Sequence, residues 1–294
     1  MAGLEGRLRG FFVELIRVAV TRLPRDVYEA LERALEAEDS PVARRQLEAM
    51  LENARLAARL GRPLCQDTGT PLFYLRVGDG FPLRSRLYDV AAEAVREATR
   101  AVPLRPNAVD PLRGVNSGDN TGRYVPWVEV ELVPGDGLEA VFVAKGGGSE
   151  APTRLAMALP LRGLRAVRET VLRAVAEAGP KPCPPFVVGV GIAAGGDQAL
   201  ALAKRAALLR PLGSRHPDPE AARLEEELLE EVNRLGLGPH GFGGRVTALG
   251  LHIEYGFRHP ATYAVGVVFS CWALRRASGV FGPDGSWRIT SEHI

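Results

Sequence analysis

"YVPWVEVEL" at 124–132 and "LEAVFVAK" at 138–145 are two runs of strand composition on either side of the turn "VPGDG". Their β-branched and aromatic content, with glycine and proline between them, predicts an antiparallel hairpin. Pro126 marks an edge or a bulge, because proline cannot donate to a strand ladder. The reading of this segment decides the fold class, since a hairpin among alternating strands and helices excludes a purely parallel sheet.

Working outward, the first 60 residues read as helices. In "SPVARRQLEAMLENARLAARLG" (40–61), Ser40 is an N-cap, Pro41 takes the first helical position, Leu47, Met50, Leu51 and Ala54 form one stripe, and Gly61 is the stop. "TPLFYLRVG" (70–78) has strand composition, and 86–101 returns to helical periodicity. Beyond the hairpin, 152–179 reads as a helix ending at Gly179-Pro180, "FVVGVGIA" (186–193) as a buried strand, and 196–208 and 218–236 as helices. Two strand-like runs, 245–256 and 262–274, close the chain. The expectation is a mixed α/β (α+β) fold, a mixed sheet flanked by helices. One domain over 1–294 is the simplest organisation, with a helical lobe at 1–60 and a core at 61–294.

The composition narrows the function. The chain has 294 residues, 46% of them hydrophobic, with 37 basic and 35 acidic side chains spread along it. Near-neutral charge leaves no electrostatic footprint for nucleic acid or an anionic membrane, so small-molecule chemistry is expected. The N-terminal stretch lacks a small-residue cleavage site after its apolar run, and no apolar run is long enough for a membrane span; a cytoplasmic protein is expected. Three cysteines, more than 80 residues apart and with no C-x-x-C, argue against a disulfide framework.

Four loops are denser in glycine and polar residues than ordinary turns need: "CQDTGTP" (65–71), "RPNAVDPLRGVNSGDNTG" (105–122), "KGGGSE" (145–150) and "GPHGFGGRVT" (238–247). In "KGGGSE", consecutive N–H groups beside Lys145 can receive an anion. Cys65 stands among hydrogen-bonding groups that suit a thiolate or a metal. Prolines on both sides of Cys183 hold its backbone extended and stiff, as a fixed ligand requires. Cys271, in "VVFSCWAL", reads as a buried inert thiol if taken alone. If the three converge, zinc and an iron–sulfur cluster compete. The wide spacing favours the cluster, and three ligands for a 4Fe-4S centre leave one iron free as a Lewis acid.

The ordered set "PLCQDTGTPLFYLRVG", "VNSGDNTG", "AKGGGSE", "CPPFVVGVGI" and "GPHGFGGRVTALGLHIEYGFRHPATYAVGVVFSCWALRRA", from about residue 60 to 277, resembles the α subunit, or N-terminal half, of the class I (iron–sulfur) fumarate hydratase and L-tartrate dehydratase family. The resemblance implies a 4Fe-4S hydro-lyase with Cys65, Cys183 and Cys271 as cluster ligands. It implies Gln66, Arg105 and the Gly148 N–H as contacts to substrate, and Asp67 and His259 as catalytic groups. Arg105 in a surface ion pair and His259 as a strand cap are the structural alternatives. Asn116, Asp119, Asn120 and Thr121 read as a hydrogen-bonded turn supporting the site.

Single-chain members of that family continue into a second domain, whereas this chain stops at Ile294. The resemblance therefore implies a separate β subunit, an α₂β₂ assembly and an isolated chain without activity. Hydration of fumarate to malate is the expected reaction, with tartrate dehydration the alternative. A sensor holding a cluster or zinc is the reading from another class. It needs only the cysteines and not the substrate-facing set.

Overall fold

The computed structural model describes residues 2–294. The chain runs through helices α1 (Ala2–Thr21), α2 (Arg25–Ala37) and α3 (Pro41–Leu60), strand β1 (Thr70–Gly78), α4 (Leu87–Ala101), β2 (Trp127–Val133), β3 (Leu138–Lys145), and the single turn α5 (Gly147–Glu150). There follow β4 (Arg154–Met157), α6 (Gly163–Ala178), β5 (Phe186–Ala193), α7 (Gly196–Leu209), α8 (Pro219–Arg234), β6 (Ala248–Tyr255), β7 (Ala264–Ser270), β8 (Arg276–Phe281) and β9 (Trp287–Ile289). The fold is mixed α/β, as the sequence implies.

Two compact units form. The first comprises the chain up to Arg25, Asn53–Gly146 and Arg275–Ile294; the second comprises Asp26–Glu52 and Gly147–Leu274. In the first, a sheet of order β2-β1-β3-β8-β9 packs against α1 and α4. Leu8, Phe11, Phe12 and Leu15 of α1 meet Phe73 and Phe142 of the sheet, with ring centroids 5.0 Å apart for Phe12–Phe73 and for Phe73–Phe142. Each such buried side chain contributes about 1.5–3 kcal/mol. Together they fix the sheet's register.

The predicted hairpin does not form. β1 lies between β2 and β3, parallel to β2 from Leu72↔Trp127 and antiparallel to β3 from Thr70↔Lys145. The 133–137 turn instead crosses the end of β1, where the Gly78 N–H donates to the Gly137 carbonyl (2.8 Å) and the Asp79 N–H to the Val133 carbonyl (2.8 Å). β1 suits that central place: Leu72, Phe73, Tyr74 and Leu75 are all buried, and a strand between two neighbours has its backbone N–H and C=O groups paired on both edges. β2 is left on the sheet edge, as Pro126 suggests.

The second unit is a sheet of order β4-β7-β5-β6 between two helical layers. α6 and α8 bury Val167, Val171, Val175, Leu224, Leu228 and Val232 on one face. On the other, α7 lies so close that a Cβ at Gly189 or Gly191 would stand 2.0 or 1.9 Å from the carbonyls of Ala203 and Ala199. Glycine there admits the helix. The helix expected over 152–179 begins only at Gly163, because Arg154–Met157 pairs with β7 (Met157↔Ala264) and Pro160 precedes α6. β8 and β9 are unmarked in the sequence reading; β8 is held by the distant partner β3 through Phe142↔Ala277, and β9 by β8 through Phe281↔Trp287.

Candidate active site

In the first unit, strand direction gathers two of the segments singled out above and one that was not. β1 and β8 begin, and β3 ends, at one end of the sheet, because β3 is antiparallel to both. "CQDTG" leads into β1, "KGGG" leaves β3, and "RR" (275–276) leads into β8. Cys65 and Gln66 are exposed and Asp67 is half-buried. One oxygen of the Asp67 carboxylate accepts the Gly69 N–H (3.0 Å), closing a turn after the cysteine.

The Arg105 segment is tied to that turn by buried polar side chains. Thr68 Oγ1 accepts the Arg105 N–H (3.1 Å) and donates to the Arg105 carbonyl (3.2 Å). Asn107 Nδ2 donates to Thr68 Oγ1 (3.2 Å) and to the Gly69 carbonyl (3.3 Å). Asn120, buried and left-handed at φ 61°, accepts the Asn107 N–H (2.5 Å) and donates to the Arg105 carbonyl (3.0 Å) and Thr99 Oγ1 (3.1 Å). Arg105's backbone is thereby pinned while its side chain is exposed.

Asp119 and Asn116 belong to the same scaffold. Asn116 Nδ2 donates to the Pro106 carbonyl (2.9 Å), and Asp119 Oδ1 accepts from the Thr121 hydroxyl (2.8 Å) and N–H (3.0 Å). Burial alone would raise the Asp119 carboxyl, but Thr121, Ser117 and the Arg96 guanidinium overcome it and hold it below the usual carboxylate range.

In the second unit, two cysteines flank one end of the sheet. Cys183 precedes β5 and Cys271 follows β7, and the pairing Val187↔Ser270 brings these ends together. The Trp272 N–H donates to the Cys183 carbonyl (3.3 Å). Contrary to the sequence expectation, Cys183 is not extended. It is left-handed (φ 56°), its N–H donating to the Pro180 carbonyl (3.0 Å), so the "PCPP" segment is a turn that leaves the side chain exposed. Cys271 lies just past its strand and is half-buried, its Sγ 3.5 Å from the Ala273 carbonyl oxygen. Gly148 belongs to α5, and a Cβ there would stand 3.0 Å from the Lys181 carbonyl, so the glycine loop and the Cys183 turn are neighbours.

His259 lies elsewhere in this unit. Its loop joins the end of β6 to the start of β7, the opposite end of the sheet from Cys183 and Cys271, about 23 Å away along seven strand residues. The ring is exposed, and Nδ1 accepts the Ala261 N–H (3.1 Å), a local cap. The same loop borders a cleft of ≈ 630 Å³ lined by Leu164, Ile192, Leu224 and Phe257 with Asp218 and Glu220. Arg258 also lines this cleft, with its Nη1 donating to the carbonyls of His259 (3.1 Å), Pro260 (3.1 Å) and Thr262 (3.2 Å).

Two residues at the cysteine ends escape the sequence reading. Arg275 is 2% exposed, and its Nη1 donates to the Asp67 carbonyl. Charged residues are seldom so buried, so its position at the close of an apolar run was the available signal. His240, in "GPHGFGG", is left-handed (φ 51°), its N–H donating to the Pro184 carbonyl (2.8 Å); burial pulls its imidazole below the usual value.

A profile of the "Fumarate hydratase (Fumerase)" family matches residues 11–280. The chain belongs to this family. It is 44% identical over 269 residues to a protein of Methanocaldococcus jannaschii named "Putative L(+)-tartrate dehydratase subunit alpha", covering 90% of this chain and 94% of that one. It is 43% identical over 259 residues to the "L(+)-tartrate dehydratase subunit alpha" of Escherichia coli strain UTI89, and 42% identical over 259 residues to that of strain K12, in both cases covering 88% of this chain and 85% of the relative. Family and relatives alike make the chain a hydro-lyase component.

The family's iron–sulfur chemistry can be tested against the residues present. Cys65, Cys183 and Cys271 are all at least partly accessible, the first two exposed and the third half-buried. Such soft, accessible donors in hydrogen-bonding loops fit thiolate ligation of a cluster. Among the described residues, no three His, Cys, Asp or Glu side chains gather as the ligands of a single metal ion would. A cubane spreads its cysteines over separate iron corners and asks for a wider arrangement.

Proposed function

We propose that this chain is the α subunit of a 4Fe-4S hydro-lyase acting on a four-carbon dicarboxylate, with Cys65, Cys183 and Cys271 as cluster ligands. The observation that carries this reading is the family match over 11–280, joined to relatives whose names specify subunit alpha. Those names favour L(+)-tartrate as substrate. The family description keeps fumarate hydration as a second reading. A separate β subunit completes the enzyme, in an α₂β₂ assembly. No helix among the described residues is long and apolar enough to cross a membrane, and thiolate ligands of a cluster suit the reducing cytoplasm.

Each residue has a task that its chemistry supports. The exposed Arg105 guanidinium, on a backbone fixed by Thr68 and Asn120, pairs with a substrate carboxylate in a bidentate fork. The Gln66 amide and the Gly148 N–H donate to carboxylate oxygens, stabilising negative charge as the C–H proton leaves. Asp67, half-buried and oriented by the Gly69 N–H, handles a proton. When bound, the cluster supplies a Lewis acid that makes hydroxide a better leaving group. His259, about 23 Å from Cys183 within one protomer, serves the site of a neighbouring protomer.

The test is to co-express the chain with its β partner anaerobically and follow loss of L(+)-tartrate and of fumarate. The reading expects turnover of at least one, with tartrate preferred, and none from the α chain alone. A purified, iron-loaded complex that turns over neither substrate overturns it.

A further inference from the structure

The structure assigns Arg275 as the positioning residue of the Gln66–Asp67 turn, with Gly146 as the gap that lets it reach. This rests on the proposed role of Asp67. Arg275 is 2% exposed in a chain whose other arginines are mostly at the surface, a costly burial for a guanidinium, and its Nε has no hydrogen-bond partner among the described residues. What it does make is a bond from Nη1 to the main-chain carbonyl of Asp67. Its own carbonyl accepts the Ala144 N–H (3.0 Å), so the arginine is anchored on the sheet while the turn it holds is not part of any strand.

The second arm of the fork points the same way. A methyl group at Gly146 would lie 3.1 Å from Arg275 Nη2 and 3.1 Å from Asp67 Oδ2. The guanidinium and the carboxylate therefore flank one spot, and only the absent side chain of Gly146 keeps it open. One arm thus fixes where the turn's backbone runs, and the other stands on the side of Gly146 that faces the reactive carboxylate. A lysine can replace the first contact but not both, because an ammonium lacks the planar fork.

The experiment uses the αβ complex and compares R275Q, R275K, G146A and D67N by kcat, KM and amide hydrogen exchange of the peptide covering 65–69. R275Q is expected to speed exchange at 66–69 and lower kcat on the order of 10²-fold, the loss that an ångström of misplacement brings, with KM within about threefold. R275K is expected to restore exchange protection but recover kcat only in part. If R275Q does not fold, R275K and G146A carry the test, the latter by crowding Arg275 Nη2 and Asp67 Oδ2. Wild-type kcat and exchange in R275K and G146A, while D67N is inactive, overturn the assignment alone. Wild-type kcat in D67N overturns the Asp67 reading, and with it the assignment of Arg275 to catalysis.

Discussion

Replacing Asn120 by alanine tests whether the polar network, and not apolar packing, holds the Arg105 segment in place. The side chain makes three hydrogen bonds, to the Asn107 N–H, the Arg105 carbonyl and Thr99 Oγ1, and Asn120 itself is only 3% exposed. At about 1 kcal/mol net for each bond, the loss is about 3 kcal/mol. A left-handed backbone at φ 61° adds about 1 kcal/mol, since alanine tolerates it less well than asparagine. The expected destabilisation is therefore about 4 kcal/mol, large against the marginal stability of a domain.

Urea unfolding followed by circular dichroism measures it, with N120D as the intermediate case: it keeps the acceptor for Asn107 and loses the two donated bonds, at about 2 kcal/mol. Thr68→Val acts on the same Arg105 carbonyl, so the N120A/T68V pair is expected to be non-additive by at least about 0.5 kcal/mol. In the active complex, N120A is expected to raise KM more than it lowers kcat, because the binding arginine loses its footing. A change in stability below about 1 kcal/mol, or strict additivity with T68V, refutes the network argument.

Two other outcomes follow from the geometry. Burial, and then the neighbouring Arg22 and Arg276 charges, hold His293 below its ordinary value of 6.5 in spite of backbone hydrogen bonds from its ring, and burial lowers His240 as well. The unfolded chain then binds more protons near pH 6, so stability is full above about pH 6.5 and declines as pH falls through the lowered folded-state values; melting temperatures across this range should show it, and H293Q should flatten the slope. For His259, mixing two inactive complexes, H259N and C183S, should restore about a quarter of wild-type activity through randomly paired protomers; no recovery after verified subunit exchange rejects the service of one protomer's histidine to another's site.

Much of the site was legible because its signals are local. Cysteines, glycine runs and the Asn-Asp turn declare themselves in short stretches, and the scaffold role read into Asn116, Asp119, Asn120 and Thr121 corresponds to bonds the structure contains. What failed was long-range. The turn at 133–137 carries a hairpin's composition, yet the two strands it joins are separated by β1, more than 50 residues earlier, which pairs with both. β8 depends likewise on β3, and β9 in turn on β8. Strand direction alone put His259 at the far end of its sheet, a fact that no motif spacing encodes. Arg275 went unnoticed because its burial is a property of the packed sheet end, whereas in the sequence it is one of two adjacent arginines.

The central claim is that three sequence-distant thiols bind one iron–sulfur cluster, and metal analysis addresses it most directly. Anaerobic reconstitution of the chain should yield about four iron and four sulfide per chain with broad visible absorbance, as 4Fe-4S ligation requires, and each of C65S, C183S and C271S should lose most of that iron. Wild-type iron in any one of the three variants, or a colourless protein holding a single zinc, would contradict the account.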